Sequence, residues 1–210
     1  MPGARAAVIR MPLDLAFKGS RDYLQGPDLL AGLLNALDNC GAPADGVLAA
    51  SFYRKTGLQP DIGVLEEGDP TAKTDETIGH WSAECGGRRM RGWYLQTGRK
   101  VEKRRPYEED SVVAQCVRGE DRIAFDGQTD LTATELCVAM TKALHIARFP
   151  LAADRHWAVC QFALARPLRD EDKADMRIEL GTTLGGRLTK SALYAGDTRL
   201  GEIFFSPASR

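Results

Sequence analysis

The feature of this sequence that most constrains its fold is a segment that occurs twice, just over 100 residues apart. In each copy the end of an apolar strand passes through a short loop into an amphipathic helix. The matched pairs are Phe17 and Phe125, Gly19 and Gly127, Asp22 and Asp130, Asp28 and Glu135, Leu29 and Leu136, Ala36 and Ala143, and Leu37 and Leu144. Similarity at a nearly fixed spacing predicts an internally repeated unit.

A second similarity lies downstream in each half and follows the same order. The run Gly86-Gly87-Arg88 matches Gly185-Gly186-Arg187 at an offset of 99 residues, against 108 for the first pairs above. The difference predicts about nine extra residues in the first copy, and the acid-rich stretch 66–77 is the expected insertion loop. We therefore predict two tandem repeats, over residues 1–105 and 106–210.

Bulk composition excludes several classes of protein. A hydrophobic content of 43% and a charged content of 27% are ordinary for a soluble globular protein. The net charge of −1 gives no overall reason to expect nucleic acid or a membrane as a partner. The five cysteines are odd in number and lack a CxxC pair, which favours reduced thiols. No apolar run is long enough for a signal peptide or a membrane span, so a cytoplasmic location is expected.

Hydrophobic periodicity predicts the elements of the first repeat. Alternating apolar residues over 9–17 indicate a half-buried strand. Gly26-Pro27-Asp28 is typical of a helix start, and a broad leucine stripe over 29–37 predicts that the helix is largely buried. Further strands are expected at about 47–55, 61–66, 78–85 and 88–97.

The second repeat follows the same order after a predicted connection over 106–111. A hairpin is expected between 112–117 and 122–125, and Thr132 with Glu135 forms the capping box of a second buried helix. Strands are then expected at about 155–166, 176–184, 187–195 and 198–205. The turn Ala195-Gly196-Asp197 is suited to joining the last two.

The order of a strand, a buried helix and several antiparallel strands, given twice, resembles the hot-dog fold in tandem double form. The fold class expected from this resemblance is α+β, with antiparallel sheets wrapped around buried helices in two tandem hot-dog-like repeats. A ferredoxin-like or cystatin-like repeat is the alternative, because those folds also combine helices with antiparallel sheets.

The resemblance implies a protein that binds an acyl thioester of coenzyme A or of an acyl carrier protein, and that acts as a thioesterase or a dehydratase. A helix N-terminus can polarise a thioester carbonyl, and a nearby acid can activate water or move a proton. The candidate catalytic residues are Asp22, Asp28, Tyr23 and His80, and the candidate substrate-binding residues at this helix are Arg21 and Gly26. The corresponding residues of the second repeat are Asp130, Thr132 and Glu135, in a copy expected to be mainly structural.

Two departures from the patterns of the resembled family favour a different class of function. Where many such thioesterases resemble His-Gly-Gly with an acid inside the helix, this chain has Gln25-Gly26-Pro27 and, in the helix, Leu34 and Asn35. Where the dehydratases resemble Leu-Pro-His-Arg, this chain has the segment 17–21, Phe-Lys-Gly-Ser-Arg. The alternative function is therefore a non-catalytic binding or scaffold module that retains the fold.

A run of basic residues is the sharpest local charge in the sequence, and it predicts a surface for coenzyme A phosphates or an acidic carrier protein. From this run we assign substrate binding to Arg88, Arg89 and Arg91. The three histidines share no metal-ligand spacing with one another or with a cysteine, so neither metal nor cofactor is expected. The sequence is compatible with a monomer or a homodimer, and nucleic acid is not an expected partner. The whole run comprises Arg88, Arg89, Arg91, Arg99, Lys100, Lys103, Arg104 and Arg105.

Overall fold

The computed structural model describes residues 8–65 and 74–209. The chain divides into two compact units, with the boundary between Pro106 and Tyr107. Unit 1 precedes this boundary and unit 2 follows it. Most of the expected insertion loop, 66–77, lies outside the described residues.

The described part of unit 1, 8–65 and 74–106, contains one long helix and seven strands, which we number in chain order through the whole protein. The helix is α1 (Gly26–Asn39). The strands are β1 (Val8–Pro12), β2 (Ala16–Lys18), β3 (Leu48–Phe52), β4 (Leu58–Leu65), β5 (Thr77–Cys85), β6 (Arg88–Lys100) and β7 (Lys103–Arg105).

Five of these strands form an antiparallel sheet in the order β1-β4-β6-β5-β3. The two short strands β2 and β7 pair in parallel and lie at the start of α1. Alternate residues of the sheet are fully buried, among them Ala50, Ile62 and Tyr94. Together with the apolar stripe of α1 they form the core of unit 1.

Helix α1 begins and ends as its sequence dictates. Pro27 stands in the first turn, where a missing N–H costs no helical hydrogen bond. Gly32 lets the helix approach residues 13–15, because a Cβ atom there would lie 2.9 Å from Leu13 Cδ1. At the other end Gly41 adopts φ +71 and its N–H donates to Asp38 O, an arrangement that stops the helix.

Unit 2, as described over 107–209, contains two α-helices, a short 3-10 helix (Asp170–Lys173) and six strands. The α-helices are α2 (Glu109–Val113) and α3 (Ala133–Arg148). The strands are β8 (Cys116–Arg118), β9 (Arg122–Phe125), β10 (Arg155–Leu164), β11 (Met176–Leu184), β12 (Leu188–Ala195) and β13 (Thr198–Ser209). They form an antiparallel sheet in the order β8-β9-β11-β12-β13-β10.

Both units share a strand, a buried helix and four further antiparallel strands in chain order, which is the hot-dog arrangement. The predicted fold class, α+β with antiparallel sheets and buried helices, is confirmed. The sheets differ in one respect. In unit 1 the strand beside β3 is β5, whereas in unit 2 the strand beside β10 is β13. In unit 1 the consecutive strands β4 and β5 are not neighbours, because β6 lies between them in the sheet. In unit 2 the corresponding strands β11 and β12 pair directly as a hairpin.

The two Gly-Gly turns that look alike in the sequence have similar backbone conformations. Gly86 and Gly87 have φ +57 and +73, and Gly185 and Gly186 have φ +55 and +67. Positive φ at two successive residues is typical of a type I′ turn. Cys85 pairs with Arg88, so the first loop has two residues, whereas Leu184 pairs with Leu188, so the second has three.

The two turns do not join corresponding strands, however. The first connects β5 to β6, the third and fourth strands after α1, whereas the second connects β11 to β12, the second and third strands after α3. The internal duplication itself stays a prediction.

Three local predictions differ from the structure. The strand expected over 9–17 is split into β1 and β2, because the side chain of Gln59 bonds to the backbone of Leu15 in place of a neighbouring strand. The connection over 106–111 contains the start of α2. The hairpin strand expected over 112–117 is shortened to β8, since Val112 and Val113 belong to α2.

Candidate binding site at the opening of the first helix

The backbone of the loop before α1 forms hydrogen bonds with two other parts of unit 1. Arg104, on β7, donates from Nη1 to the carbonyl oxygens of Gly19 and Arg21, at 2.5 and 2.7 Å. Further along the loop, Leu24 N–H donates to Thr56 O at 2.9 Å. The loop, β7 and the segment 53–57 therefore meet at the N-terminus of α1, which we call the α1 opening.

Asp28 stands in the first turn of α1 and forms a buried ion pair. Its Oδ1 lies 2.7 Å from Lys18 Nζ and 3.2 Å from Arg105 Nη2, while its Oδ2 accepts the Gln25 N–H at 3.3 Å. Lys18 is 0% exposed and Asp28 is 7% exposed. Buried charges persist when they are paired in this way, because an isolated one loses its hydration without compensation. The carboxylate of Asp28 is thus engaged by two cations and one backbone donor.

Asp22 and Tyr23 lie on the loop itself, near a lysine that the sequence did not single out. The side chain of Asp22 is exposed, and Lys55 Nζ lies 4.6 Å from the centre of the Tyr23 ring. Burial lowers the pKa of Lys55, while the charge of Asp22 acts in the opposite direction. Asp22 is therefore the acid of this opening whose carboxylate faces solvent.

Arg21 and Gly26 flank the residue that caps α1. With its amide oxygen turned towards the guanidinium, Gln25 accepts from Arg21 Nε at 2.8 Å. Pro27 has no N–H, and the next two amides of the helix both donate to Gln25 O. Within 8–65 and 74–209, the structure gives the Gly26 N–H no acceptor. Gly26 thus offers the available backbone donor of the first turn.

Positive charge dominates the α1 opening. Five cationic side chains and two carboxylates belong to it, which leaves an excess of three positive charges. The positive end of the helix dipole adds to this field. Such a surface is suited to an anionic group. The cations are Lys18, Arg21, Lys55, Arg104 and Arg105, and the carboxylates are those of Asp22 and Asp28.

His80 lies on β5 and forms a pair with a tyrosine rather than with a helix residue. The Tyr53 hydroxyl and His80 Nδ1 share a hydrogen bond, and the two ring centres are 5.5 Å apart. Burial raises the pKa of the Tyr53 hydroxyl. Tyr53 precedes Lys55 by two residues, so His80 is connected to the α1 opening through the segment 53–56.

The arginines assigned to substrate binding, by contrast, lie far from this opening. Arg88, Arg89 and Arg91 are exposed at the start of β6, whereas Lys100, at its other end, pairs with Leu58 beside the opening. Twelve residues of extended strand span about 40 Å. The structure does not bring these three arginines together with the α1 opening, and the basic run forms two separate surfaces.

Helix α3 of unit 2 opens differently. Thr132 and Glu135 form the predicted capping box, in which Glu135 N–H donates to Thr132 Oγ1 at 3.3 Å and Thr132 N–H donates to Glu135 Oε2 at 2.9 Å. Lys173 Nζ donates to Leu131 O at 3.1 Å. Asp130 is exposed on the preceding loop. The Glu135 N–H is thus satisfied within the turn, whereas within 8–65 and 74–209 the structure gives the Ala133 and Thr134 N–H groups no acceptor.

Neither a metal centre nor a membrane span is found among the described residues. No group of three or more histidine, cysteine, aspartate and glutamate side chains there has an arrangement that could hold a metal ion. No helix in the same ranges is both long enough and apolar enough to cross a membrane.

Comparison with solved structures gives matches over most of the chain. The tesB protein MAP1729c of Mycobacterium avium subspecies paratuberculosis is 13% identical, covers 92% of this chain and 89% of its own, and has a TM-score of 0.45. The 12:0-ACP thioesterase from Umbellularia californica is 9% identical, with coverage of 99% and 100% and a TM-score of 0.46. The dehydratase domain of PpsC from Mycobacterium tuberculosis, in complex with C12:1-CoA, is 10% identical, with coverage of 96% and 93% and a TM-score of 0.49.

These likenesses assign no activity or substrate to this chain, since the identities are 13% or less and the TM-scores are below 0.5. No protein-family model and no curated protein sequence matches the chain.

Proposed function

We propose that unit 1 binds an acyl thioester, of coenzyme A or of an acyl carrier protein, at the α1 opening. The observation that carries this proposal is the Gly26 N–H, which has no acceptor in the described part of the chain and belongs to an opening where cations outnumber carboxylates. A thioester carbonyl accepts a hydrogen bond, and both thioester carriers bear phosphate. The opening offers a donor for the first and cations for the second.

The division of roles follows from exposure. Gly26 N–H receives the thioester carbonyl oxygen. The exposed cations Lys55 and Arg104 receive phosphate, and Arg21 supports them from the loop. Lys18 and Arg105 neutralise Asp28 and keep the first turn in place.

Binding without catalysis is the function that the geometry supports best. The carboxylate of Asp28 is engaged by Lys18 and Arg105, so it is poorly placed to take a proton from water. Hydrolysis or dehydration is the second candidate, and the observation that favours it is the exposed carboxylate of Asp22, near Lys55 and Tyr23.

A reducing compartment such as the cytoplasm is part of the proposal. All five cysteines are unpaired in the structure, and two of them, Cys85 and Cys137, are buried in the cores of the units. Burial raises the pKa of the Cys137 thiol to about 12, which keeps it protonated.

A thermal-shift titration of the purified full chain with dodecanoyl-CoA, free coenzyme A and ADP tests this proposal. A ligand at about one hundred times its dissociation constant stabilises a protein by about 2.7 kcal/mol, which gives a measurable rise in Tm. Lys55→Gln is expected to reduce the shift. The matched control Arg88→Gln, at the far end of β6, is expected to preserve it. Equal shifts in the two variants would contradict the placement of the site.

Turnover separates the two candidate functions. If Asp22 acts as a general base, Asp22→Asn lowers the rate of acyl-CoA hydrolysis by about 100-fold or more while the protein still binds the ester. If unit 1 is a binding module, neither the wild-type protein nor Asp22→Asn releases free thiol from the ester above the buffer rate.

A further inference from the structure

One aromatic side chain of unit 1 lies on the surface, directly after β3. Tyr53 is 42% exposed, whereas every other phenylalanine, tyrosine and tryptophan within 8–65 and 74–209 is buried or half-buried. A single exposed ring is ordinary in itself, so its meaning depends on how it is held and on what lies beside it.

This ring is fixed at its backbone and at its hydroxyl. The Tyr53 N–H donates to Ile78 O at 2.8 Å, and the hydroxyl shares a hydrogen bond with His80 Nδ1. The rings of Tyr53 and His80 are 5.5 Å apart between their centres. Because both ends of the side chain are held, the ring loses little conformational freedom when a flat ligand stacks on it.

The equivalent position of unit 2 shows that the fold does not require an aromatic residue there. After β10 the Ala165 N–H donates to Leu200 O at 2.8 Å, which is the counterpart of the bond that the Tyr53 N–H makes after β3. The next residue, Arg166, donates to both carboxylate oxygens of Asp172, at 2.7 and 2.8 Å. Unit 2 therefore has no ring at this position, and the arginine beside it is neutralised.

The two residues that follow Tyr53 are cations. Arg54 and Lys55 are exposed, and Lys55 belongs to the α1 opening. Arg54 Nη2 donates to the carbonyl oxygen of Asp75, a bond that does not neutralise the guanidinium. Two residues of chain span at most about 7 Å, so the backbone keeps both cations close to the ring. We call Tyr53, Arg54 and Lys55 the Tyr53 surface.

We infer that the Tyr53 surface binds the nucleotide of coenzyme A, with the adenine base stacked on the Tyr53 ring and the phosphates at Arg54 and Lys55. This inference rests on the proposed function and names the carrier of the acyl group. Every base has a flat π face that stacks on an aromatic ring, and guanidinium and ammonium groups bind phosphate. The phosphopantetheine arm of an acyl carrier protein has no base, so the Tyr53 ring distinguishes the two carriers.

The position of the Tyr53 surface matches the order of groups along coenzyme A. Leu24, two residues before Gly26, bonds through its N–H to Thr56 O at 2.9 Å. From that contact the chain runs back through Lys55 to Tyr53 and β3. The thioester, the phosphates and the base of one acyl-CoA molecule therefore meet Gly26, Lys55 and Tyr53 in that order.

Calorimetric titration of the full chain with two esters tests the inference. Dodecanoyl-CoA is compared with dodecanoyl-4′-phosphopantetheine, which keeps the thioester and one phosphate but has no adenosine. The wild-type protein is expected to bind the coenzyme A ester at least about tenfold more tightly. Tyr53→Leu is expected to reduce this preference to about threefold or less, whereas Tyr53→Phe, which keeps the ring, is expected to retain most of it.

Tyr194→Leu is the matched control in unit 2. Tyr194 is a half-buried tyrosine whose ring also lies beside a cation, with Arg177 Cζ 4.7 Å from the ring centre. This variant is expected to retain the full preference for the coenzyme A ester. A loss equal to that of Tyr53→Leu would overturn the assignment of the base to Tyr53.

Saturation-transfer difference NMR with free coenzyme A gives a second readout. The adenine protons are expected to receive saturation from the wild-type protein and from Tyr53→Phe, and to lose most of it in Tyr53→Leu, because the stacked ring is their nearest source. Unchanged saturation of the base in Tyr53→Leu would overturn the inference.

The binding outcomes separate the inference from the function on which it rests. If the wild-type protein binds both esters equally, or if Tyr53→Leu keeps the full preference, the inference fails while the proposed function stands. If neither ester binds, the proposed function fails and the inference falls with it.

Discussion

The openings of α1 and α3 differ in how the acid of the first helical turn is bonded. Both helices carry an acid at the third position of the first turn, Asp28 in α1 and Glu135 in α3. Glu135 bonds back to Thr132, so the cap of α3 is complete within four residues. Asp28 also accepts from the capping residue, but its charge is balanced by Lys18 and Arg105 from elsewhere in the chain.

The difference between the two openings lies in their charge. Both helices have a capping box, and in both a first-turn amide has no acceptor among the described residues, Gly26 in α1 and Ala133 and Thr134 in α3. The opening of α1 has a glutamine at the cap, a proline in the first turn and a surplus of cations. This combination leaves the Gly26 N–H available in a positive field.

The largest expected effect comes from breaking the ion pair of the α1 opening. Asp28→Asn leaves the fully buried Lys18 without its carboxylate, and removal of one partner of a buried pair costs about 3–5 kcal/mol. Urea denaturation of the wild-type protein and the variant measures this loss.

A paired substitution provides the control for that result. Lys18→Met together with Asp28→Asn removes both charges, and it is expected to be more stable than Asp28→Asn alone. If the double variant is no more stable than the single one, the buried lysine is not the source of the loss.

The second effect concerns a buried histidine of unit 2. His145 is fully buried, with Nδ1 2.6 Å from Thr141 O and Nε2 bonded to the Thr189 hydroxyl. Burial lowers the pKa of His145 below its ordinary value of 6.5, against the opposing effect of the Thr141 carbonyl. Between pH 6.5 and the lowered pKa, His145 is protonated in the unfolded chain but neutral in the folded chain. The free energy of unfolding therefore falls as the pH drops through this range.

The difference in bound protons between the unfolded and folded chains approaches one, so the free energy of unfolding falls by about 1.4 kcal/mol for each pH unit. Above pH 6.5 this residue makes stability independent of pH. Urea midpoints measured between pH 8 and pH 5 test this expectation, with His145→Gln as the comparison. An equally steep fall in His145→Gln would assign the pH dependence to other groups.

The smallest effect is expected at the cap of α3. Thr132→Ala removes the side-chain acceptor of the capping box and costs about 1 kcal/mol. The corresponding change at α1, Gln25→Ala, leaves the Asp28 ion pair in place, so the two losses of stability measure how far each helix depends on its cap. A larger loss for Gln25→Ala than for Asp28→Asn would contradict the account of α1 given above.

The parts of the fold that were predictable from sequence are those determined by neighbouring residues. The capping box of Thr132 and Glu135, the leucine stripe of α1 and the turn at Gly196 each depend on a few adjacent positions, and each is present in the structure. Hydrophobic periodicity also predicted most strands to within a few residues, because the alternation of buried and exposed side chains is local.

The parts that escaped prediction depend on distant contacts. Gln59 breaks the first strand by bonding to the backbone of Leu15, which lies 44 residues away. The strand order of unit 1 differs from that of unit 2 because β4 pairs with β6. Hydrophobic periodicity does not indicate which strands pair. Sequence alone indicated five strands in the first repeat and six in the second but did not fix their order.

Prediction of the candidate site was limited in the same way. Asp22, Asp28 and Gly26 were singled out because they stand at a recognisable helix start. Lys18 and Lys55 were missed, since nothing near them in the sequence shows that they converge on that start. Arg105 lies 77 residues from Asp28, and only the pairing of β2 with β7 brings the two together.

The measurement that tests the central claim most directly is the affinity for dodecanoyl-CoA of Gly26→Pro and Gly26→Ala, determined by calorimetric titration. Proline removes the N–H at a helix position where it is tolerated, whereas alanine retains it. If the Gly26 N–H binds the thioester, Gly26→Pro binds at least about tenfold more weakly than Gly26→Ala. Equal affinities in two folded variants would contradict the claim that the α1 opening is the binding site.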